Sequence, residues 1–219
     1  MAKRLLIGGL MGMLLWMFWP APAAIPVHSD GDWVDALPFE STLSLTHPPL
    51  QRPLAPGVGR FIAEDFHISP QADFQLEARI LGRKIYHFDD AAKLSPFDLA
   101  LGWGPMARDE VLEHISIRQA NRFYYWSTPA FPIPRRDIER NSANMHLIPA
   151  SAEVTQVLNR ARTDDRIRLR GYLVHVDRDD GWRWRTSLTR DDVGGGACEI
   201  VLVTEALLCT NRQPQASCL

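Results

Sequence analysis

Between Arg166 and Val176 the apolar residues change phase at a glycine: Ile167 and Leu169 alternate, and beyond Gly171 the apolar set moves to Tyr172, Val174 and Val176. A period of two marks a strand, and a phase shift at glycine predicts a bulge or a sharp bend. Asp177 to Gly181 reads as a turn, Trp182 to Leu188 as a second strand, Asp191 to Gly196 as a loop and Cys198 to Thr204 as a third strand. A glycine-bent sheet joined by short turns curls on itself. The meander at about 166–205 is therefore expected to form a small barrel or a strongly bent sheet, OB- or SH3-like by pattern.

The rest of the chain supplies short helices, so the expected class is α+β, with helices packed on antiparallel strands. Phe74 to Phe88 reads as strand, turn or bulge at Gly82, and strand. Ser95-Pro96-Phe97-Asp98 has the signature of a helix start, and Pro105 opens a second helix towards Ile115. Arg122 to Trp126 is an aromatic strand. Ser151 caps a third helix whose Val154, Val157, Leu158 and Ala161 fall on one face. Residues 25–60, with Pro38, Pro48, Pro49, Pro53 and Pro56, keep no helical or strand period and read as an extended lead-in, tether or strap. The expected organisation is 1–24 as leader, 25–60 as lead-in and 61–219 as a single domain.

In the leader, Lys3 and Arg4 precede the uncharged run Leu5 to Trp19, closed by Pro20-Ala21-Pro22-Ala23-Ala24. That order is a positive segment, an apolar segment and a small-residue A-x-A end, as in a secretory signal peptide. Fifteen apolar residues fall short of the roughly 20 of a membrane span, which favours cleavage after Ala23. The alternative is an uncleaved anchor through residues 5–25, supported by the interfacial aromatics Trp16, Phe18 and Trp19. Both place the remainder outside the cytoplasm, in the periplasm, soluble or tethered to the inner membrane. Without Lys3 and Arg4 the 24 basic residues become 22 against 26 acidic ones, a balance that argues against nucleic acid as partner. Of three cysteines, Cys209 and Cys218 close a short polar loop and are the expected disulfide, since Cys198 lies at the far end of the last strand.

Candidate sites are few. Arg166, Arg168 and Arg170 share one face of their strand, and Arg183 and Arg185 one face of the next. If the faces coincide, five guanidinium groups could hold phosphate, carboxylate or an anionic glycan; otherwise they pair with the aspartates of the adjacent turns. Phe123, Tyr124, Tyr125, Trp126 and Trp103 form either a stacking platform for sugars or core. Cys198, after Gly194-Gly195-Gly196-Ala197, is the weaker alternative of a nucleophile with His146 or His175 as base. His87 with Asp89 and Asp90 is a dense polar cluster. No HExxH, CxxC, P-loop or GxGxxG occurs, so no metal and no cofactor is expected.

Asp98-Leu99-Ala100-Leu101-Gly102-Trp103-Gly104-Pro105-Met106 and Ser142-Ala143-Asn144-Met145-His146 resemble a family of exported or membrane-anchored bacterial proteins with no assigned activity, over residues 60–205. The resemblance implies an envelope location and brings no catalytic residue. The expected function is that of a non-enzymatic binding or assembly protein of the envelope, its partner an envelope protein or an anionic envelope polymer. The alternative is an exported hydrolase or transferase using Cys198 and a histidine.

Overall fold

A computed structural model describes residue 22 and residues 25–29, 39–189 and 198–209. The molecule is α+β, mostly strand with a few short helices. In chain order the strands are β1 His28–Ser29, β2 Leu50–Arg52, β3 Phe61–Ala63, β4 Phe66–Ile85, β5 Phe97–Gly102, β6 Ser116–Ala120, β7 Phe123–Ser127, β8 Ser142–Pro149, β9 Arg166–Arg178, β10 Arg183–Trp184 and β11 Glu199–Cys209. Helix α1 is Asp109–Leu112, α2 Arg135–Arg140 and α3 Ala152–Arg160, with a 3-10 turn at Gly104–Ala107.

Five strands close a ring of hydrogen bonds: β4 pairs with β5, β5 with β8, β8 with β11, β11 with β9, and β9 again with β4. All these pairings are antiparallel except β8 with β11, which is parallel. The closed arrangement is therefore not confined to the C-terminal meander. Strand β4, twenty residues long, supplies two of its edges, pairing with β9 along its first part and with β5 along its last. One face of all five strands builds a single cluster that includes Phe74, Leu76, Leu99, Met145, Leu169 and Val201, with Val154, Leu158 and Ala161 of the α3 region packed into it. Helix α3 is placed by its cap, the Ser151 side chain accepting from the Val154 N–H at 3.3 Å, and by the apolar face read from sequence.

The change of phase at Gly171 has a different origin from the one expected. Ile167, Leu169 and Leu173 remain on one face throughout, in the ring cluster, while Tyr172, Val174 and Val176 lie in a second cluster with Phe66, Ile148 and Leu202. Strand β9 passes from one-sided to two-sided burial without gaining a residue. The irregularities sit in its neighbours, between Pro70 and Ala72 of β4 and between Val203 and Glu205 of β11. Gly171 is required by close approach: a Cβ there would lie 1.8 Å from the Leu202 carbonyl oxygen.

The helix expected from Ser95 is instead strand β5. Phe97, Leu99 and Leu101 alternate into the ring cluster, and Ser95 Oγ donates to the Leu147 carbonyl at 3.1 Å rather than capping a helix. Of the lead-in, Leu43 is buried, and β2 pairs with β4 as β1 does with β3. A third cluster, with Leu81, Ala100, Met106, Val111 and Ile138, lies under the β6–β7 hairpin. Among the described residues no helix is long and apolar enough to cross a membrane. The leader lies almost wholly outside the described residues, as does Cys218.

Candidate ligand cavity

Strand β5 places Asp98 on the face opposite the ring cluster, and the register puts His146 of β8 beside it. Nδ1 of His146 lies 2.8 Å from Oδ1 of Asp98, and the two side chains are 4 % and 1 % exposed. The same Oδ1 accepts from Nη1 of Arg122 at 3.0 Å. Asn144 donates from Nδ2 to Oδ2 of Asp98 at 3.4 Å and to the Arg122 carbonyl at 3.2 Å, while its Oδ1 accepts from Gln119 at 2.7 Å. A carboxylate this deeply buried must be compensated by charge and hydrogen bonds, and Asp98 has both.

Arg122 reaches this position from a strained turn. Asn121 and Arg122, with φ of 53° and 67°, join β6 to β7 in two residues, the left-handed geometry of a type I′ hairpin turn. Arginine is uncommon there. Its guanidinium also binds both oxygens of Asp89 at 2.6 and 3.0 Å and the Ser95 carbonyl at 2.8 Å and lies 3.9 Å from the Tyr86 ring centroid, while the Arg122 backbone N–H donates to the Tyr86 hydroxyl at 3.0 Å. Burial, opposed by that hydrogen bond, pushes the Tyr86 hydroxyl above its ordinary value.

Above this network opens a cavity of about 1580 Å³. Its walls come from the end of β4 and the following loop, the 121–123 turn, His146, Asn159 in the last turn of α3 and Arg162 after it, the β10 segment and Cys198. Trp184 covers His146 with ring centroids 4.7 Å apart, and Trp182 follows at 5.8 Å. Six cationic side chains, Arg83, Lys84, Arg122, Arg162, Arg183 and Arg185, line it against the carboxylates of Asp89 and Asp90. Arg122 is paired with Asp89 and Asp98, and Arg183 and Arg185 share Asp177 at 3.7 and 2.5 Å. Arg83 and Arg162 instead donate to carbonyls at the end of α3, Arg83 to those of Leu158 and Asn159 and Arg162 to those of Asn159, Arg160 and Ala161. These contacts cap the negative end of the helix and involve no carboxylate side chain. Burial first, and the adjacent Arg162 second, hold the Arg83 guanidinium below the usual arginine range.

The five arginines read as one ladder do not form one surface. Arg166 and Arg168 bind the buried Glu77 at 3.1 and 2.8 Å, and Arg170 binds Glu205 at 2.5 Å. Strand β10 pairs at the other end of β9, Arg183 opposite Asp177. At about 3.3 Å per residue Arg170 stands about 23 Å along the strand from Asp177, the position opposite Arg183, and only Arg183 and Arg185 line the cavity. The acids expected as partners were those of the adjacent turns; Glu77 and Glu205, which hold the first group, lie on the paired strands.

Cys198 and His146 both line the cavity. The His146 ring bonds Asp98 through Nδ1; the parallel register, with Ile200 beside His146, brings the start of β11 next to β8. His175 does not line the cavity: its Nδ1 accepts from the Thr186 N–H at 3.3 Å. Burial, then Arg185, lowers its pKa below 6.5. Asp98 and Arg122 carry the geometry of the site, and sequence reasoning passed over both. The signals were present as the apolar alternation around Asp98 and the two-residue spacing between β6 and β7. Among the described residues no group of three or more His, Cys, Asp or Glu could hold a metal ion. No family model, curated protein or solved structure matches this chain.

Proposed function

We propose that the chain is an exported envelope protein of the binding type, and that the cavity takes an anionic, ring-bearing component of the envelope, a unit of an acidic glycan. The observation that carries this reading is the set Arg83, Lys84 and Arg162 on the cavity wall, none with a carboxylate in ion-pair distance among the described residues, beside Trp182, Trp184 and Tyr86. Cationic groups that are not neutralised by the protein attract an anion and bind it in forked hydrogen bonds. Aromatic faces next to them desolvate the apolar face of a sugar ring. The leader pattern from Lys3 to Ala24 supports the location. Retention of the full chain on an immobilised acidic polysaccharide tests the reading. Lys84→Gln with Arg162→Gln is expected to elute at lower salt than the wild type, and Arg166→Gln, outside the cavity, at the same salt; equal elution of all three would remove the proposal.

A second reading is favoured by one observation: Cys198 and His146 both line the cavity, and the imidazole is held by Asp98. That is the base–orienter half of a thiol nucleophile's machinery. In a hydrolase or transferase, the thiol proton would pass to Nε2 of His146, the sulfur would bond to the carbonyl carbon of an ester or amide, and the proton would leave with the departing group. The rate of Cys198 alkylation by iodoacetamide distinguishes the readings. An activated thiol should slow in His146→Gln, and identical rates would exclude it.

A further inference from the structure

We propose that the outer face of the β6–β7 hairpin is a second subsite continuous with the cavity, over which an acidic glycan runs as an extended chain. The inference rests on the reading of the cavity as an acidic-glycan site and adds that the ligand is a polymer. Register makes the hairpin two-faced: Ile117 opposite Trp126 and Gln119 opposite Tyr124 on one side, Ser116 opposite Ser127, Arg118 opposite Tyr125 and Ala120 opposite Phe123 on the other. The first side is spent on the fold, Ile117, Tyr124 and Trp126 packing on the third cluster and Gln119 bonding Asn144. The second side faces solvent, with Phe123 and Tyr125 40 % and 43 % exposed.

Scattered apolar residues at a surface are ordinary, whereas neighbouring large ones mark contact sites. The two rings stand 6.4 Å apart, and the Arg118 guanidinium lies 4.6 Å from the Tyr125 centroid with no carboxylate partner among the described residues. Phe123 belongs to both places: it lines the cavity and begins β7. From Phe123 to Ser127 the strand runs about 13 Å, long enough for more than one sugar ring. Aromatic faces would stack on the C–H faces of the sugars, and Arg118 would take a carboxylate in a forked bond.

Two half-exposed rings fall far short of the roughly 800 Å² per partner of a stable protein interface, which disfavours a second copy of the chain as occupant. A single-stranded nucleic acid could use the same rings, and the titration below separates it from the glycan.

Calorimetric titration of the full chain with a dimer and an octamer of galacturonate tests the extension. The octamer should bind more tightly than the dimer. Tyr125→Ala should weaken the octamer about tenfold and leave the dimer unchanged, with Tyr125→Phe restoring the wild-type value. Equal affinity of dimer and octamer, or an octamer indifferent to Tyr125→Ala, overturns the extension while leaving the cavity reading intact. If neither oligomer binds the wild type, the cavity reading fails and the extension with it. Binding of oligothymidylate through Tyr125, or a change of molecular mass in Tyr125→Ala, overturns it in favour of a nucleic acid or of a contact between copies.

Discussion

Nδ1 of His146 and Oδ1 of Asp98 meet at 2.8 Å under the floor of the cavity, and the same carboxylate oxygen holds Arg122 at 3.0 Å. Removing one member of a buried, charge-compensated group costs about 3–5 kcal/mol, because its partners stay buried without compensation. Asp98→Asn keeps the shape and deletes the charge. Its thermal midpoint is expected to fall by about 10 °C in a domain of this size, measured by circular dichroism; a midpoint near that of the wild type would show that Asp98 is not charge-coupled to Arg122.

The turn at Arg122 separates strain from contact. Arg122→Ala and Arg122→Gly both lose the ion pairs with Asp89 and Asp98, but only glycine occupies a φ of 67° without penalty. The glycine variant is expected to be the more stable of the two by about 1 kcal/mol in urea denaturation. The reverse order would contradict the turn geometry.

His175 makes stability depend on pH. Burial, followed by the charge of Arg185, lowers its pKa from 6.5, so below that value the unfolded chain binds a proton that the folded chain resists. Stability from this residue is therefore present above pH 6.5 and is lost as the pH falls towards the folded value. His175→Gln should flatten this part of the stability profile between about pH 5 and 7. A profile of unchanged slope would show that the ring is not held neutral by its surroundings.

Gly171 shows both what the sequence contained and what it concealed. The alternation of Ile167 and Leu169, and of Tyr172, Val174 and Val176 beyond the glycine, identified the strand, and the glycine stood where the burial pattern changes. The residues that bury Val174 and Val176, however, come from distant segments, among them Phe61, Phe66 and Ile148, and give no local signal in the sequence. Gly171→Ala drives a Cβ to within 1.8 Å of the Leu202 carbonyl and is expected to lower the thermal midpoint severely or to prevent folding. A variant as stable as wild type would mean that β9 and β11 do not approach as described.

The site was less legible than the strands. Helix α3 could be read from Ser151 and its apolar face because both signals are local. Asp98 was masked by Ser95-Pro96, a helix-start pattern that long-range pairing with β4 and β8 overrides. Arg122 gave no signal as a single letter, since its partners Asp89 and Asp98 come from other segments. Arg166, Arg168 and Arg170 lie at alternate positions of β9, but the sequence does not tell at which end of a strand the next one pairs.

Export carries its own test. If the chain reaches an oxidising compartment, Cys209 and Cys218 should bridge, and alkylation followed by intact-mass measurement with and without reductant should differ by two labelled thiols. Equal labelling would remove that support.

The most direct measurement is calorimetric titration of a galacturonate dimer into the full chain and into Lys84→Gln/Arg162→Gln. The cavity reading expects one saturable site in the wild type and at least about tenfold weaker binding in the variant, as for the loss of a charge-assisted bond, with the melting temperature lowered by no more than about 4 °C for the lost α3 cap. No binding to the wild type, or equal affinity for both, would contradict it.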